Sequence, residues 1–273
     1  MGGVETYCSL LCVVLFSILF VSCLSYVLKE LNKKLTTENA IVTQADKGKT
    51  IVIINSNEYS EKVNSFLLAN NFNMLTKDPT DKFQKSIHKA MQDCNLIIDK
   101  HRVKYLLQRK PAPPNLKAQL KLHKIGILIR PVVNNRTAPA YKVAKYLTNI
   151  VSQHITLHNQ YIITNSTNLA NDLTKLELHE NHNLITFDIK DLYVNIPVSE
   201  TLNIVKAKLL QNNDTQIAQQ ALILLKEVLS QNYFTFQQRI YQPEQGIAFC
   251  VHGLDVPLTV LPHCRGISGC LLS

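Results

Sequence analysis

The chain has 273 residues, of which 46% are apolar, enough to bury one large core or two modest ones and too many for a disordered chain. Its 29 Lys and Arg residues outnumber its 20 Asp and Glu residues, and the formal charge is +9. A nucleic-acid backbone is the natural counter-charge, although a solvated basic surface would give the same count. The seven Cys residues form neither a disulfide framework nor paired zinc-ligand spacings, which favours a reducing compartment.

The first predicted element is an apolar segment near the N-terminus. Residues Cys8 to Leu28 are 21 positions without a charge, and a helix of that length crosses a hydrocarbon core of about 30 Å. Lys29, Lys33 and Lys34 follow it, so the positive-inside rule predicts a cytosolic body. A cleaved signal peptide and a segment foreign to the rest of the protein are alternative interpretations.

Helical and strand patterns alternate through the next part of the chain. Leu28 to Leu35 is predicted to be helical, and Thr50 to Asn55 is predicted to be a strand. Helices are predicted over Asn57 to Asn70 and Thr80 to Leu107. The Pro-rich segment Lys110 to Pro114 ends the second helix and predicts a region boundary near residue 115.

The remaining elements predict an α+β fold with helices packed behind a small sheet. Lys117 to His123 and Ile127 to Val133 are predicted to be paired strands. Later elements are a helix from Pro139, a helix over Asn168 to Leu178, a strand over Asn183 to Ile189, helices capped by Ser199 and Asp214, and a hairpin over Asn232 to Gln242.

A single carboxylate interrupts the apolar strand that ends near residue 189. Asp188 lies between Phe187 and Ile189, where a buried charge needs a partner, and a divalent metal ion is a suitable one. The alternative is an Asp that caps the following turn. The stretch continues as Lys190-Asp191-Leu192-Tyr193.

Further segments occur in the order known from one family. With the Asp188 stretch, this ensemble resembles the reverse transcriptases of Penelope-like retroelements over about Ala40 to Ala248. The segments are Ala45-Asp46-Lys47-Gly48, Leu120 to Lys124, Arg130-Pro131-Val132-Val133, Tyr141 to Leu147, Tyr233 to Phe236 with Ile240-Tyr241-Gln242, and Gln245-Gly246-Ile247-Ala248.

The resemblance implies an incomplete reverse-transcriptase fingers and palm fold with an N-terminal apolar helix. Residues 29–115 would be the N-terminal helical region of the polymerase, and residues 116–248 the incomplete fingers and palm. The strands between Lys117 and Val133 would form the fingers. Residues 249–273 would be a divergent tail.

The resemblance also implies two-metal nucleotidyl transfer with Mg²⁺ or Mn²⁺ in a complete active site. Asp188 would bridge both ions, and the carbonyl of Ile189 would be a further ligand. Asp191 would lie near the triphosphate. The ring of Tyr193 would exclude a 2′ hydroxyl, although a core aromatic residue is the alternative.

Nucleotide-binding roles follow for several other matched positions. Arg130 would clamp phosphate through its planar guanidinium, with Lys121 and Lys124 as weaker partners. Gln245 and Gly246 would lie against the incoming nucleotide. Asp46 and Lys47 have no catalytic role in this scheme and would make a template or structural contact.

The chain departs from the family at two places. Leu120 replaces the usual Pro, and Phe249 to Ser273 lacks the Tyr-x-Asp-Asp hairpin with the other catalytic carboxylates. Reading the tail one nucleotide later permits Met-Ser-Pro and Ile-Ala-Glu-Val-Tyr-Leu, both similar to the family, so a frame shift is one interpretation.

The expected activity is therefore RNA-directed DNA synthesis by a fragment that lacks part of its active site. RNA template, DNA primer and deoxynucleotide triphosphates are the implied partners, with a membrane as a further one through residues 8–28. The body would be membrane-bound and cytosolic if that segment is genuine, and otherwise nuclear or cytoplasmic. A non-catalytic nucleic-acid-binding or membrane-anchored remnant is the alternative.

Overall fold

The computed structural model describes residues 22–154, 165–176, 185, 196–212 and 214–247. These residues divide into two compact units. The first unit contains the chain up to Phe66 together with Ala118 to Arg130, and the second contains Leu67 to Lys117 and the chain from Pro131 onward. The chain therefore passes three times between the units.

The first unit contains a helix and a two-stranded ribbon. Residues 22–37 form helix α1, and strands β1 (Ala40–Gln44) and β2 (Ile51–Asn55) pair antiparallel, with Ala40 opposite Asn55. Between them the chain turns through Gly48 and Lys49, both with positive φ. Helix α2 (Ser56–Ala69) follows directly, because the Asn55 side chain accepts a hydrogen bond from the backbone of residue 57.

Five further strands form one mixed sheet in the order β3-β7-β6-β4-β5. Strand β7 pairs antiparallel with both β3 and β6, whereas β6 and β4 are parallel. The β6–β7 turn is made by Gln237 and Gln238, both with positive φ as a tight two-residue hairpin requires. The strands are β3 (Phe72–Leu75), β4 (Asn115–Lys121), β5 (Leu128–Asn134), β6 (Phe234–Phe236) and β7 (Arg239–Pro243).

The helices of the second unit pack around one central helix. Helix α8 (Thr215–Ser230) contacts α3 (Thr80–Asp93), α5 (Tyr141–His154) and α7 (Val198–Asn212). The shorter helices are α4 (Lys100–Leu106) and α6 (Ser166–Leu173). Helices combined with a mixed sheet confirm the predicted α+β class.

The core of the second unit consists of two apolar clusters that share α8. Leu224 and Val228 belong to the first cluster, with residues of α3 and α5. Leu225 and Leu229 belong to the second, with residues of α7. The apolar residues of α8 therefore occupy two faces, and burying both is what holds the surrounding helices together.

One predicted helix is wrong in extent. The helix predicted over Thr80 to Leu107 is two helices, because the chain leaves the helical conformation at Cys94 (φ −100°, ψ 55°). Asp99 then starts α4 as an N-cap, its side chain accepting a hydrogen bond of 2.8 Å from the backbone N–H of Arg102.

Other helix ends differ from the predictions by a few residues. Asp214 caps α8 as predicted, accepting a hydrogen bond of 2.7 Å from the backbone of Gln216. Ser199 is not a cap, because α7 already begins at Val198. The helix predicted from Asn168 begins at Ser166, because Asn165 accepts the hydrogen bond from the backbone N–H of Asn168 and serves as the cap.

Within the described part of the chain, no helix is long and apolar enough to cross a membrane. Most of the span predicted over Cys8 to Leu28 lies outside the described residues, as does the tail from residue 249. The assignment of residues 29–115 to the N-terminal helical region of a polymerase, and of residues 116–248 to its incomplete fingers and palm, stays a prediction.

The central position of α8 generates a first prediction. We expect Leu224→Ala to lower the free energy of unfolding by about 2 to 5 kcal/mol, because it opens a cavity in a fully buried cluster. Ile223→Ala, on the exposed face of the same helix, is the matched control and should cost no more than about 1 kcal/mol. Urea unfolding measures both, and equal losses would contradict the assigned core.

The buried thiol of Cys94 generates a second prediction. Burial, with a smaller contribution from the Asp93 charge, raises the pKa of Cys94 from 9.0 to about 11, and its Sγ lies 3.5 Å from the carbonyl oxygen of Gln220. We therefore expect iodoacetamide at about pH 8 to alkylate Cys94 at least 100-fold more slowly than the exposed Cys23. Peptide mass spectrometry measures the two rates.

The raised pKa of Cys94 also makes the stability of the folded protein depend on pH. Unfolding restores the ordinary pKa of 9.0, so the Cys94 contribution is complete below that pH and is lost as the pH rises to about 11. Comparable alkylation of the two thiols in the folded protein would contradict the burial of Cys94.

Candidate functional site

The clearest polar constellation of the first unit is an ion pair between Asp46 and Arg130. Nη1 of Arg130 lies 2.6 Å from Oδ1 of Asp46. The Asp46 side chain is 1% exposed, whereas that of Arg130 is 44% exposed. The carboxylate is therefore buried, and the guanidinium reaches the surface.

Backbone contacts hold Asp46 in this position. Ala45 forms an isolated parallel bridge with Leu120, and the backbone N–H of Asp46 donates to the Leu120 carbonyl at 2.9 Å. The hydroxyl of Thr43 donates to the Ala118 carbonyl at 2.8 Å. The end of β1 therefore runs beside β4, whose neighbour in the sheet is the Arg130 strand β5.

The energetics of this pair depend on burial. A carboxylate removed from water is costly unless a charge and hydrogen bonds compensate it. Oδ1 of Asp46 has no well-aligned hydrogen-bond donor among the described residues, so its stabilisation by Arg130 is mainly ionic. With 44% of its side chain exposed, Arg130 retains surface that an anion could contact.

Lys121 and Lys124 belong to the connection between β4 and β5. Lys121 ends β4 and is half-buried, and Lys124 is exposed in the turn that follows. The turn closes through hydrogen bonds from Lys124 N to Lys121 O and from Ile127 N to Lys124 O, both 3.1 Å long. It then passes through Gly126 at φ 78°. The three predicted phosphate-binding residues thus lie on two neighbouring strands and their connection.

Gln245 and Gly246 lie in the second unit, directly after β7. Gly246 has φ 73°, a conformation that favours glycine, and its carbonyl accepts a hydrogen bond of 2.9 Å from Nδ2 of Asn232. Ile247 is buried in the cluster around α8 and α7. This anchoring leaves the Gln245 side chain exposed on a fixed turn.

The remaining predicted site residues, Asp188, Ile189, Asp191 and Tyr193, lie outside the described residues. Among the residues that are described, no three His, Cys, Asp or Glu side chains are grouped in a way that could hold a metal ion. The predicted metal ligands thus remain predictions.

Two features of the structure had little or no signal in the sequence. The buried Asp46 was predicted only to make a structural or template contact, and its partner is 84 positions away. A cavity of about 30 Å³ in the second unit is lined by Asn135, Tyr141 and Gln231 among others. The buried oxygens Oδ1 of Asn135 and Oε1 of Gln231 have no hydrogen-bond donor among the described residues. Isolated amide side chains give no recognisable pattern in a sequence.

Comparison with protein-family models, with curated proteins and with solved structures gives no match for this chain. Its own residues and contacts are therefore the basis for inferring what it does.

The Asp46–Arg130 pair generates a third prediction. We expect Arg130→Gln to destabilise the protein by about 2 kcal/mol, because it leaves a buried carboxylate without its counter-charge. Asp46→Asn combined with Arg130→Gln should cost less than the sum of the two single changes. Urea unfolding of the four proteins gives the coupling energy.

Arg136→Gln provides the matched control, because Arg136 is also an exposed arginine close to the end of β5. It should change stability by no more than about 0.5 kcal/mol. Additivity of the Asp46 and Arg130 changes within about 0.5 kcal/mol would contradict a stabilising ion pair.

Proposed function

We propose that the chain is a fragment of an RNA-directed DNA polymerase related to Penelope-like retroelement reverse transcriptases. The observation that supports this most is the ion pair between Asp46 and Arg130. These residues belong to the Ala45-Asp46-Lys47-Gly48 and Arg130-Pro131-Val132-Val133 segments, which are far apart in the chain and meet in one unit. A chance likeness would not require them to meet.

The proposed chemistry is transfer of a nucleotide to a primer. The 3′ hydroxyl attacks the α-phosphorus of a deoxynucleotide triphosphate, and pyrophosphate leaves. Arg130 contacts the triphosphate while Asp46 limits the positions that its guanidinium can take. Lys121 and Lys124 add positive charge on the adjoining hairpin, which favours approach of the anion.

The other site residues have roles that follow from the resemblance alone. Asp188 and the carbonyl of Ile189 would hold Mg²⁺ or Mn²⁺, which would stabilise the attacking and leaving oxygens. Asp191 would lie near the triphosphate and Tyr193 under the sugar. Gln245 would contact the incoming nucleotide from the Gly246 turn, with RNA template and DNA primer as the other partners.

These 273 residues are proposed to be catalytically inactive. They contain no Asp-Asp pair after Gln245, and one catalytic carboxylate does not hold two ions in register. Membrane association of a cytosolic body is part of the proposal only if residues 8–28 are genuine, and otherwise the protein is nuclear or cytoplasmic. A non-catalytic remnant that binds nucleic acid, or is anchored to a membrane, is the second candidate, favoured by the net charge of +9.

A fourth prediction tests the proposal with primer, template, nucleotides and Mg²⁺ or Mn²⁺. We expect no incorporation by the 273-residue chain above a metal-free control. A chain continued through an Asp-Asp codon pair recovered from the shifted downstream frame should polymerise. Asp188→Ala should then abolish extension, because a metal ligand is lost, and leave primer-template affinity within a few fold.

Arg130→Lys in the continued chain tests the phosphate contact separately. It keeps the charge next to Asp46 but loses the two-pronged geometry, so the KM for nucleotide should rise about tenfold. Arg239→Lys, at an exposed arginine of β7, is the control and should leave KM unchanged. Polymerisation that survives Asp188→Ala would exclude the proposed active site.

A further inference from the structure

A basic surface surrounds the short helix α4 in the second unit. No Asp or Glu occurs between residues 100 and 171. We define the α4 surface by nine cationic or aromatic residues from α4, the segment after it, the segment before α5 and the start of α5. They are Lys100, Arg102, Lys104, Tyr105, Arg109, Lys110, Arg136, Lys142 and Lys145.

Hydrogen bonds join the parts of this surface. Nζ of Lys142 on α5 donates to the carbonyl oxygens of Tyr105 and Leu107, both at 3.2 Å. Nε2 of Gln108 donates to the carbonyl oxygen of Arg136. The end of α4, the segment before α5 and the first turn of α5 are therefore held together, and the cations that they carry belong to one region of the second unit.

A second set of contacts holds Arg102. Its Nη1 donates to the hydroxyl of Tyr146 at 3.1 Å, and its guanidinium carbon lies 5.2 Å from the centre of that ring. The Tyr146 hydroxyl in turn donates to the carbonyl oxygen of Ile97 at 2.9 Å. The hydrogen bond and charge interaction with Tyr146 raise the pKa of Arg102. Its cation is thus fixed beside α5.

Asp99 is an acidic residue that directly precedes this surface in the chain. Its carboxylate accepts the backbone N–H of Arg102 as the cap of α4, which lowers the pKa of Asp99. That hydrogen bond already engages the carboxylate at the start of α4. Asp99 does not interrupt the cations of residues 100–110.

Tyr105 exposes 77% of its surface within this set of cations. The apolar residues near it on the helix are less exposed, since Val103 is buried and Leu106 is half-buried. One exposed ring among lysines and arginines suits stacking on a base while the cations contact the phosphates. A lipid surface is better matched by a row of exposed apolar residues than by a single ring.

We propose that the α4 surface binds single-stranded nucleic acid, with the Tyr105 ring stacked on a base. Lys104 and Arg109 contact the backbone phosphates on either side of that base. This binding deepens the second candidate function, a remnant that binds nucleic acid, and rests on it. It does not depend on the polymerase reaction, because it uses no metal ion and no residue of the nucleotide site.

The test measures binding of the full chain to a short fluorescent uridine oligonucleotide by anisotropy. Tyr105→Ala should weaken binding about tenfold, as expected for loss of one stacked base, whereas Tyr105→Phe should stay within about twofold. Tyr26→Ala is the matched control, since Tyr26 is a 66% exposed tyrosine in the first unit, and it should have no effect. Equal affinities of the Tyr105→Ala and Tyr26→Ala proteins would overturn the proposal.

The phosphate contacts are tested by a salt series. Lys104→Gln combined with Arg109→Gln should lower the slope of log affinity against log salt by about 1.4, the value for two contacts to a single strand. The charge-matched control is Lys206→Gln combined with Lys226→Gln, two exposed lysines on α7 and α8. An equal change of slope in both double variants would overturn the proposed position of the phosphates.

Vesicles of phosphatidylcholine and phosphatidylserine form a further arm of the experiment. Vesicle binding that depends on Tyr105, together with oligonucleotide binding that does not, would assign the surface to a membrane and overturn the proposal.

Primer extension separates this proposal from the polymerase. Oligonucleotide binding that depends on Tyr105, without any primer extension, would support the α4 surface and not the polymerase. Primer extension together with binding that does not depend on Tyr105 would refute the α4 surface and leave the polymerase proposal standing.

Discussion

The second unit depends on the burial of α8 on two faces. Leu224 and Val228 contact the cluster built with α3 and α5, while Leu225 and Leu229 contact the cluster built with α7. A helix that must cover both clusters has little freedom to rotate or shift, since either movement would expose apolar surface that stabilises the fold. The positions of three helices therefore follow from one.

The same helix determines where the Gln245 turn lies. The chain leaves α8 at Ser230, and two residues later Asn232 donates to the Gly246 carbonyl. Ile247 returns to the cluster that α8 shares with α7. A residue predicted to contact nucleotide is thus fixed by apolar packing on one side and one amide hydrogen bond on the other. In the first unit, Arg130 is held instead by an ion pair with the buried carboxylate of Asp46.

Local chemistry explains which parts of the structure could be predicted from the sequence. The α+β class, the Asp214 cap and the β6–β7 hairpin followed from patterns of residues that lie close together in the chain. The break between α3 and α4 could not be found this way, because Cys94 and Ile98 continue the apolar spacing of α3 and both are buried in the same cluster. The apolar residues therefore keep a helical spacing across the turn, and the spacing does not reveal that the helix ends.

Long-range partners limited the prediction of the candidate site. The sequence indicated that Arg130 could bind phosphate, but the identity of its buried partner depends on how β1 meets β4. The basic run through residues 100–110 was evident from composition. The exposure of Tyr105 within that run was not, because helical spacing alone does not tell which ring near a helix end remains outside the core.

The pairing of β3 with β7 also has a consequence for the order in which the protein is made. Phe72 pairs with Pro243, so β3 cannot pair at this edge of the sheet until a further 171 residues have been synthesised. At about 5 to 20 residues per second, the delay is on the order of ten to thirty seconds. During that interval the emerging chain holds Phe72 and Met74 without their sheet partners, a state in which a holdase chaperone would protect them. Completion of the sheet and arrival of the Gln245 turn at the ribosome exit are almost simultaneous.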